Sequence, residues 1–253
     1  MSKSKYVLEI ENKLGNGPTA NAALLARYIG AQNLPKRKPD EQSKWVYWGI
    51  PVPLSRQASQ ASYSFSPLPE EEQWKIWISI WNESSVYDVK SVALQWLCEK
   101  KRKALRLKRS QDVIKLTSQV DNWAHSDGIS QVLAEILEAK PQLFEVYKKW
   151  NRSKNPWLRR QSIVSIYFYA RLRSKYYPSP EAFRLVKNLL NDPHVYVQKG
   201  VGWTLRELDR IDSKKQRVFV EKHLKQISAT AWYATSELYP LSLKKELVLR
   251  RRR

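Results

Sequence analysis

Apolar residues recur at three- and four-residue spacing along most of the chain, in short blocks separated by polar turns. From Glu70 onward the blocks follow one another closely. "EEEQWKIWISIWN" and "VYDVKSVALQWLCEKKRK" read as one helix pair, and "SQDVIKLTSQV" and "SDGISQVLAEILEAK" as a second. "PQLFEVYKKWN" with "PWLRRQSIVSIYFYARLRSK" forms a third. "SPEAFRLVKNLLND", "VQKGVGWTLRELDR", "SKKQRVFVEKHLKQI" and "SATAWYATSELY" continue the series. Ahead of them, "TANAALLARYIG" predicts a helix after a "GNGP" break, with Thr19 as its N-cap. "NLPKRKPDEQSKWVYWGIPVP" reads as a loop, and "RQASQASYSFSPLPEEEQ" as irregular or weakly helical.

No valine-rich alternating run appears, and glycine is scarce at 7 residues, so the expected class is all-α. Pairs of short helices with similar spacing suggest a curved α-solenoid of HEAT-like pairs with a concave basic groove, each pair burying its face against its neighbours. A globular bundle is the alternative. The expectation is a single HEAT-like-repeat domain over 1–253, in which 240–253 is a solvated basic tail.

One helix stands out. In "VQKGVGWTLRELDR" the residues Val197, Val201, Leu205 and Leu208 make an apolar face. Trp203 lies about 200° around the axis from that face, two residues past Val201. It shares a row with Lys199, Arg206 and Arg210, an unusual place for a large indole.

Charge gives that row a partner. The 45 Lys and Arg against 24 Asp and Glu leave a formal net charge of +21, which implies a polyanionic partner. Nucleic acid ranks first and an anionic membrane surface second. The run "EKKRKALRLKR", from Lys100 to Arg109, is read as a phosphate contact. With 11 tryptophans, some are expected at a surface. The only cysteine, Cys98, excludes an internal disulfide. No apolar run reaches membrane-spanning length and the N-terminus resembles no signal peptide, so a cytoplasmic protein is expected, associated with the nucleoid if DNA is its partner.

The stretch "VDNWAHSD" carries the candidate chemistry. Trp123 and Asp127 are four apart and share a helix face, while Ile129, Val132, Leu133 and Ile136 point elsewhere. Either the pair faces a groove, or Asp127 caps a helix and Trp123 packs in a turn. A carboxylate in a basic groove weakens binding to phosphate unless it has a task. Breaking an N-glycosidic bond supplies one: positive charge builds on the sugar, and a fixed carboxylate stabilises it. A base already made cationic by alkylation leaves as a neutral molecule and needs no general acid. Other chemistries fit poorly. His125, His194 and His223 are scattered, so no metal or cofactor is implied, and His125 reads as a surface or supporting residue rather than a base.

Four stretches in order, "LLARYIG…YWGIPVPLSR", "VDNWAHSD", "NPWLRRQSIV" and "DPHVYVQKGVGWTLRELDR", resemble the AlkD-type DNA alkylation repair family, the HEAT-like-repeat alkylpurine DNA glycosylases. The resemblance covers Ala22 to Arg210. It implies a monomeric solenoid that grips double-stranded DNA and hydrolyses the N-glycosidic bond of N3- and N7-alkylated purines without extruding the base. By the same resemblance Asp127 stabilises the oxocarbenium-like state and positions water, Trp123 and Trp203 cradle the sugar, Arg160 holds a phosphate, and Tyr28 joins the substrate contacts. Lys199, Arg206, Arg56 and Arg159 become DNA contacts. Ala124 stands where the family often has a second acid, and "AWYATSEL" replaces its C-terminal R-E…K motif. A non-catalytic HEAT-like protein that binds branched or damaged DNA is the alternative function, and a protein- or RNA-binding scaffold a third.

Overall fold

The computed structural model describes residues 3–29, 43–173 and 175–252. Its fourteen α-helices and short 3-10 turns bear out the all-α class, and the only extended pairing among the described residues is an isolated parallel bridge between Val46 and Val86. Residues 33–42 of the expected loop lie outside the described residues. No helix among the described residues is long and apolar enough to cross a membrane. The chain divides into two compact units, Met1–Val132 and Leu133–Arg253, with the boundary inside one continuous helix.

The first unit holds α1 (Lys5–Lys13), α2 (Ala22–Ile29), α3 (Val52–Ser59), α4 (Glu70–Glu83), α5 (Tyr87–Cys98), α6 (Lys103–Lys108), α7 (Ser110–Leu116) and the start of α8 (Trp123–Ala139). Helical spacing puts Trp74, Trp77, Ile80 and Trp81 of α4 on its buried side. Trp77 stacks on Trp96 of α5 at 5.4 Å, and Tyr63 and Phe65 meet it edge-on. Tryptophan supplies this core because each ring buries a large apolar area in a fixed geometry. Most of the indoles are therefore internal, and Trp45, Trp123, Trp203 and Trp232 are the half-exposed ones.

Segment 43–50 runs as a strap along this core. Asp88, in the first turn of α5 and 2% exposed, accepts hydrogen bonds from Trp48 N at 2.7 Å and Ile50 N at 2.9 Å. At the other end Asp121 accepts from Ser43 Oγ and Lys44 N. Burial raises the carboxyl pKa of both aspartates, and the strap's N–H groups oppose that rise. The Lys90 nitrogen, fully buried, sits 4.1 Å from the Trp45 ring centre and 4.9 Å from that of Trp81, and donates to the Trp81 carbonyl and Gln119 Oε1. Burial pushes it down to about 7, while the two indole faces favour its charged form.

The strap seats α2. Thr19 does not cap that helix, which starts three residues later; its hydroxyl lies 3.0 Å from the carbonyls of Trp48 and Gly49 and accepts from Asn21 N. Gly49 has φ +74°, and a Cβ there would come within 2.4 Å of Ala22 N, so only glycine allows this approach.

Two arginines of the basic run turn inward, and most of its other cations stay at the surface. Arg106, 2% exposed, donates to the carbonyls of Leu97 and Glu99 and so satisfies the C-terminal end of α5. Arg102 lies 3.7 Å over Trp96 and pairs with Glu99, while Lys108 and Arg109 pair with Glu71. Lys100 and Lys103 remain exposed.

At the start of α8, Asn122 Oδ1 accepts from His125 N at 2.9 Å and acts as the cap. His125 is buried at 2% instead of lying at the surface, stacked on Tyr87 at 4.4 Å. Asn122 Nδ2 donates to its Nδ1 at 3.1 Å, so Nε2 carries the proton and donates to Ser91 Oγ at 3.0 Å, which donates onward to the Tyr87 carbonyl.

The second unit holds the rest of α8, α9 (Phe144–Asn151), α10 (Pro156–Val164), α11 (Ser179–Asn188), α12 (Val195–Lys222), α13 (Ala229–Thr235) and α14 (Leu241–Arg252). Val197, Val201, Leu205 and Leu208 of α12 are all at 0% exposure, as the spacing predicts. The two helical segments read on either side of Asp212 join as one helix with a kink there (φ −151°, ψ 68°). α10 ends at Val164, well short of its expected extent, because the chain turns and Tyr169 adopts a left-handed conformation (φ 48°, ψ 59°) before a 3-10 turn over Ala170–Leu172. The C-terminal basic segment is a helix, anchored by Leu247 at 2% exposure and by Arg251, which donates to the Ile227 carbonyl and lies over Trp232.

Two predictions follow from this packing. A Cβ at Gly202 of α12 would lie 2.2 Å from the Ala231 carbonyl oxygen of α13. Because that neighbour is backbone, Gly202→Ala lowers stability by about 2 kcal/mol and the melting temperature by about 4–8 °C in a thermal unfolding scan. His125 is held at about 3, well below its ordinary 6.5, first by burial and then by the Lys90 ammonium. The unfolded chain therefore binds this proton first, and the stability linked to His125 is present above about 6.5 and lost as pH falls towards 3. In an NMR titration its ring shows no protonation step of its own between pH 5 and 8.

Candidate nucleic-acid interface

In the first unit, the strap and α8 bring together residues that lie far apart in the sequence. Trp123 and Asp127, four apart on α8, are both half-exposed, and Asp127 stands in the second turn, beyond the capping position. Ile129, Val132, Leu133 and Ile136, at 0–1% exposure, take the buried side, so the two candidates occupy the other. Tyr28, 67% exposed at the end of α2, meets Trp123 edge-on with ring centres 5.3 Å apart, and the Trp123 indole N–H points at the Tyr28 carbonyl at 3.4 Å. The strap that fixes α2 thus also fixes Tyr28 beside Trp123.

Arg56 is exposed near the end of α3. With Lys100 it borders an open depression of about 460 Å³ whose floor includes Leu94, Ala124, His125 and Gly128. Gly128 matters here because a Cβ would press against Leu94 Cδ2 at 2.8 Å, so its absence lets α8 approach α5. On α8 it is lined by Ala124, His125, Gly128 and Gln131, sequence neighbours of Trp123 and Asp127.

In the second unit, Trp203 is half-exposed on the side of α12 opposite its buried face. Phe168 stacks on it at 5.2 Å, Tyr169 meets it edge-on at 6.2 Å, and the Arg206 guanidinium lies 5.4 Å from its ring centre. The cations expected around it are arranged unequally. Lys199 is exposed, with its ammonium 5.0 Å from the Tyr196 ring. Arg206 is held between Glu207 and Glu237, and Arg210 stands 3.7 Å from Glu207. Arg206 can reach a phosphate only by exchanging a carboxylate for it.

The two arginines of α10 are more deeply committed. Arg160 is 5% exposed and donates to the Tyr196 carbonyl at 2.9 Å, and Gly200 leaves the room its side chain needs against α12. Arg159 grips Asp192 through Nε and Nη2 and also donates to the Ser153 and Lys154 carbonyls. Both link α10 to the approach of α12. Phe168 and Tyr169, which pack on Trp203, carry no signal in the sequence, because the stretch that contains them has unbroken helical spacing. No cluster of His, Cys, Asp and Glu able to hold a metal is present among the described residues.

The model of a family described as DNA alkylation repair enzyme matches residues 17–238. Among solved structures, a predicted DNA alkylation repair enzyme from Enterococcus faecalis superposes with a TM-score of 0.67 at 14% identity, over 90% of this chain and 99% of that one. AlkD2 from Streptococcus mutans gives 0.53 at 20% identity, over 73% and 88%. The smu.31 protein of Streptococcus mutans UA159 gives 0.50 at 19% identity, over 74% and 92%. At these identities the structures speak for the fold. No curated protein sequence matches the chain significantly. The family match spans both helical units and includes the Trp123–Asp127 and Trp203 stretches, so the chain belongs to the DNA alkylation repair enzyme family.

Proposed function

We propose that the protein is a monofunctional DNA glycosylase that releases cationic N3- and N7-alkylated purines from duplex DNA. The observation that supports this most directly is the placement of Asp127 beside Trp123 on the outward side of α8, with Tyr28 against the indole. Family membership supplies the context of alkylation repair.

The chemistry asks little of the protein. The C1′–N9 bond of the alkylated nucleotide breaks, and its electron pair goes to the purine, which neutralises the ring's positive charge. Positive charge passes to the sugar as an oxocarbenium-like ion. The Asp127 carboxylate lowers the energy of that state through space. A water held by the carboxylate adds to C1′ and gives up its proton to solvent, leaving an abasic site and free base. Trp123 and Tyr28 present aromatic edges and faces to the sugar and attract the cationic lesion. In the second unit, Trp203 offers its half-exposed indole to a sugar, and exposed Lys199 meets a phosphate, as does Arg56 in the first unit. Arg159, Arg160 and Arg206 act chiefly by holding these positions through their internal partners.

Ala124 favours a second reading, because it stands where a second acid is expected: a protein that binds damaged or branched duplex without excising a base. Incubation with methylated duplex DNA, followed by mass identification of released bases, separates the two. Release of 7-methylguanine or 3-methyladenine that falls by about a hundredfold or more in Asp127→Asn is the expected result. Release that persists unchanged in that variant removes Asp127 from the mechanism. Salt-sensitive duplex binding with no base released by the wild-type protein establishes the second reading instead.

A further inference from the structure

Tyr169 is held in a way that its own packing does not explain. It is a bulky residue at φ 48°, in the left-handed region that favours glycine and asparagine. Its ring is 41% exposed, and its hydroxyl makes no hydrogen bond among the described residues. The conformation is imposed from below. Ala170 N donates to Glu207 Oε2 at 3.0 Å, and Glu207 is 2% exposed in α12. The carbonyls on either side of the turn are also fixed, Tyr169 O by Leu172 N and Ala170 O by Tyr176 Oη.

The result is a ledge beside Trp203. Tyr169 meets the indole edge-on at 6.2 Å, and the Arg171 guanidinium lies 5.6 Å from the Tyr169 ring centre. Arg171 is exposed and forms no ion pair among the described residues, unlike Arg159, Arg173 and Arg206 of the same unit. The Trp203 indole N–H likewise has no hydrogen-bond partner among them. Two adjacent aromatic rings, two available donors and an unpaired guanidinium suit a sugar with its phosphate. Apolar ring surface packs on the sugar, while the hydroxyl and guanidinium donate to phosphate oxygens.

We propose that Tyr169 and Arg171 form a further DNA-contacting site, which takes a deoxyribose and its phosphate on the ledge that Trp203 begins. This rests on the reading that the protein binds duplex DNA, and it requires no excision. The strained backbone is retained because it presents the ring to the nucleic acid. Exchange for glycine then relieves the strain and removes the contact together.

The experiment pairs thermal unfolding with fluorescence-anisotropy binding to a duplex over a range of salt concentrations. In Tyr169→Gly the melting temperature stays level or rises, while the dissociation constant weakens about tenfold, the scale of one hydrogen bond to a charged group with its packing. In Arg171→Gln the slope of log affinity against log salt becomes shallower by about 0.9, the value of one phosphate contact. Wild-type binding that Tyr169→Gly leaves unchanged overturns this site alone, and a fall in melting temperature with unchanged affinity gives Tyr169 a structural role instead. Wild-type protein that fails to bind duplex overturns the DNA reading and this site with it.

Discussion

Two buried carboxylates govern where the candidate residues stand. Asp88 and Glu207 both lie within helices, yet their oxygens accept from backbone N–H groups of segments outside the α-helices. An unpaired buried N–H is costly, so such segments settle where an acceptor waits for them. Asp88 settles the strap, and through Thr19 and Gly49 the strap settles α2 and Tyr28. Glu207 settles the turn at Tyr169 and also holds Arg206 over Trp203. In each unit an exposed tyrosine, Tyr28 or Tyr169, is placed through an acid that never reaches the surface.

Arginine has the complementary task. Arg106 completes the carbonyl end of α5, Arg160 binds a carbonyl at the start of α12, and Arg159 clasps the turn before it. The planar guanidinium can serve several carbonyl or carboxylate oxygens at once, which a lysine ammonium does less well. Arg56, Lys100, Arg171 and Lys199, by contrast, are exposed. A basic composition thus contains two populations, and only burial tells them apart.

This explains how much the sequence reveals. Periodicity alone locates most of the helices from α4 to α13 and the buried face of α12, because both depend on local spacing, but α6 and the C-terminal helix α14 escape it. It also orients Trp203 away from the core and pairs Trp123 with Asp127. Features that depend on distant partners escape it. Nothing near Arg206 announces Glu237, which lies 31 residues on, and nothing near Arg159 announces Asp192. The end of α10 escapes as well, since the acid that bends the chain at Ala170 belongs to another helix. Thr19 looks like a cap because threonine before an apolar block usually is one; here the strap competes for its hydroxyl. The resemblance adds roles to individual positions, which spacing cannot supply.

The crossing of α12 and α13 bears on how this sequence can drift. Gly202 touches the backbone at Ala231, immediately before the residue that carries the exposed indole. Ala231 and Thr235 are fully buried, whereas Tyr233 between them is 81% exposed. The "AWYATSEL" segment can therefore exchange its outward residues freely while its inward ones stay small. The constraint at this helix is one-sided: the solvent face is open to change, and the small inward residues keep the backbone contact behind Trp203.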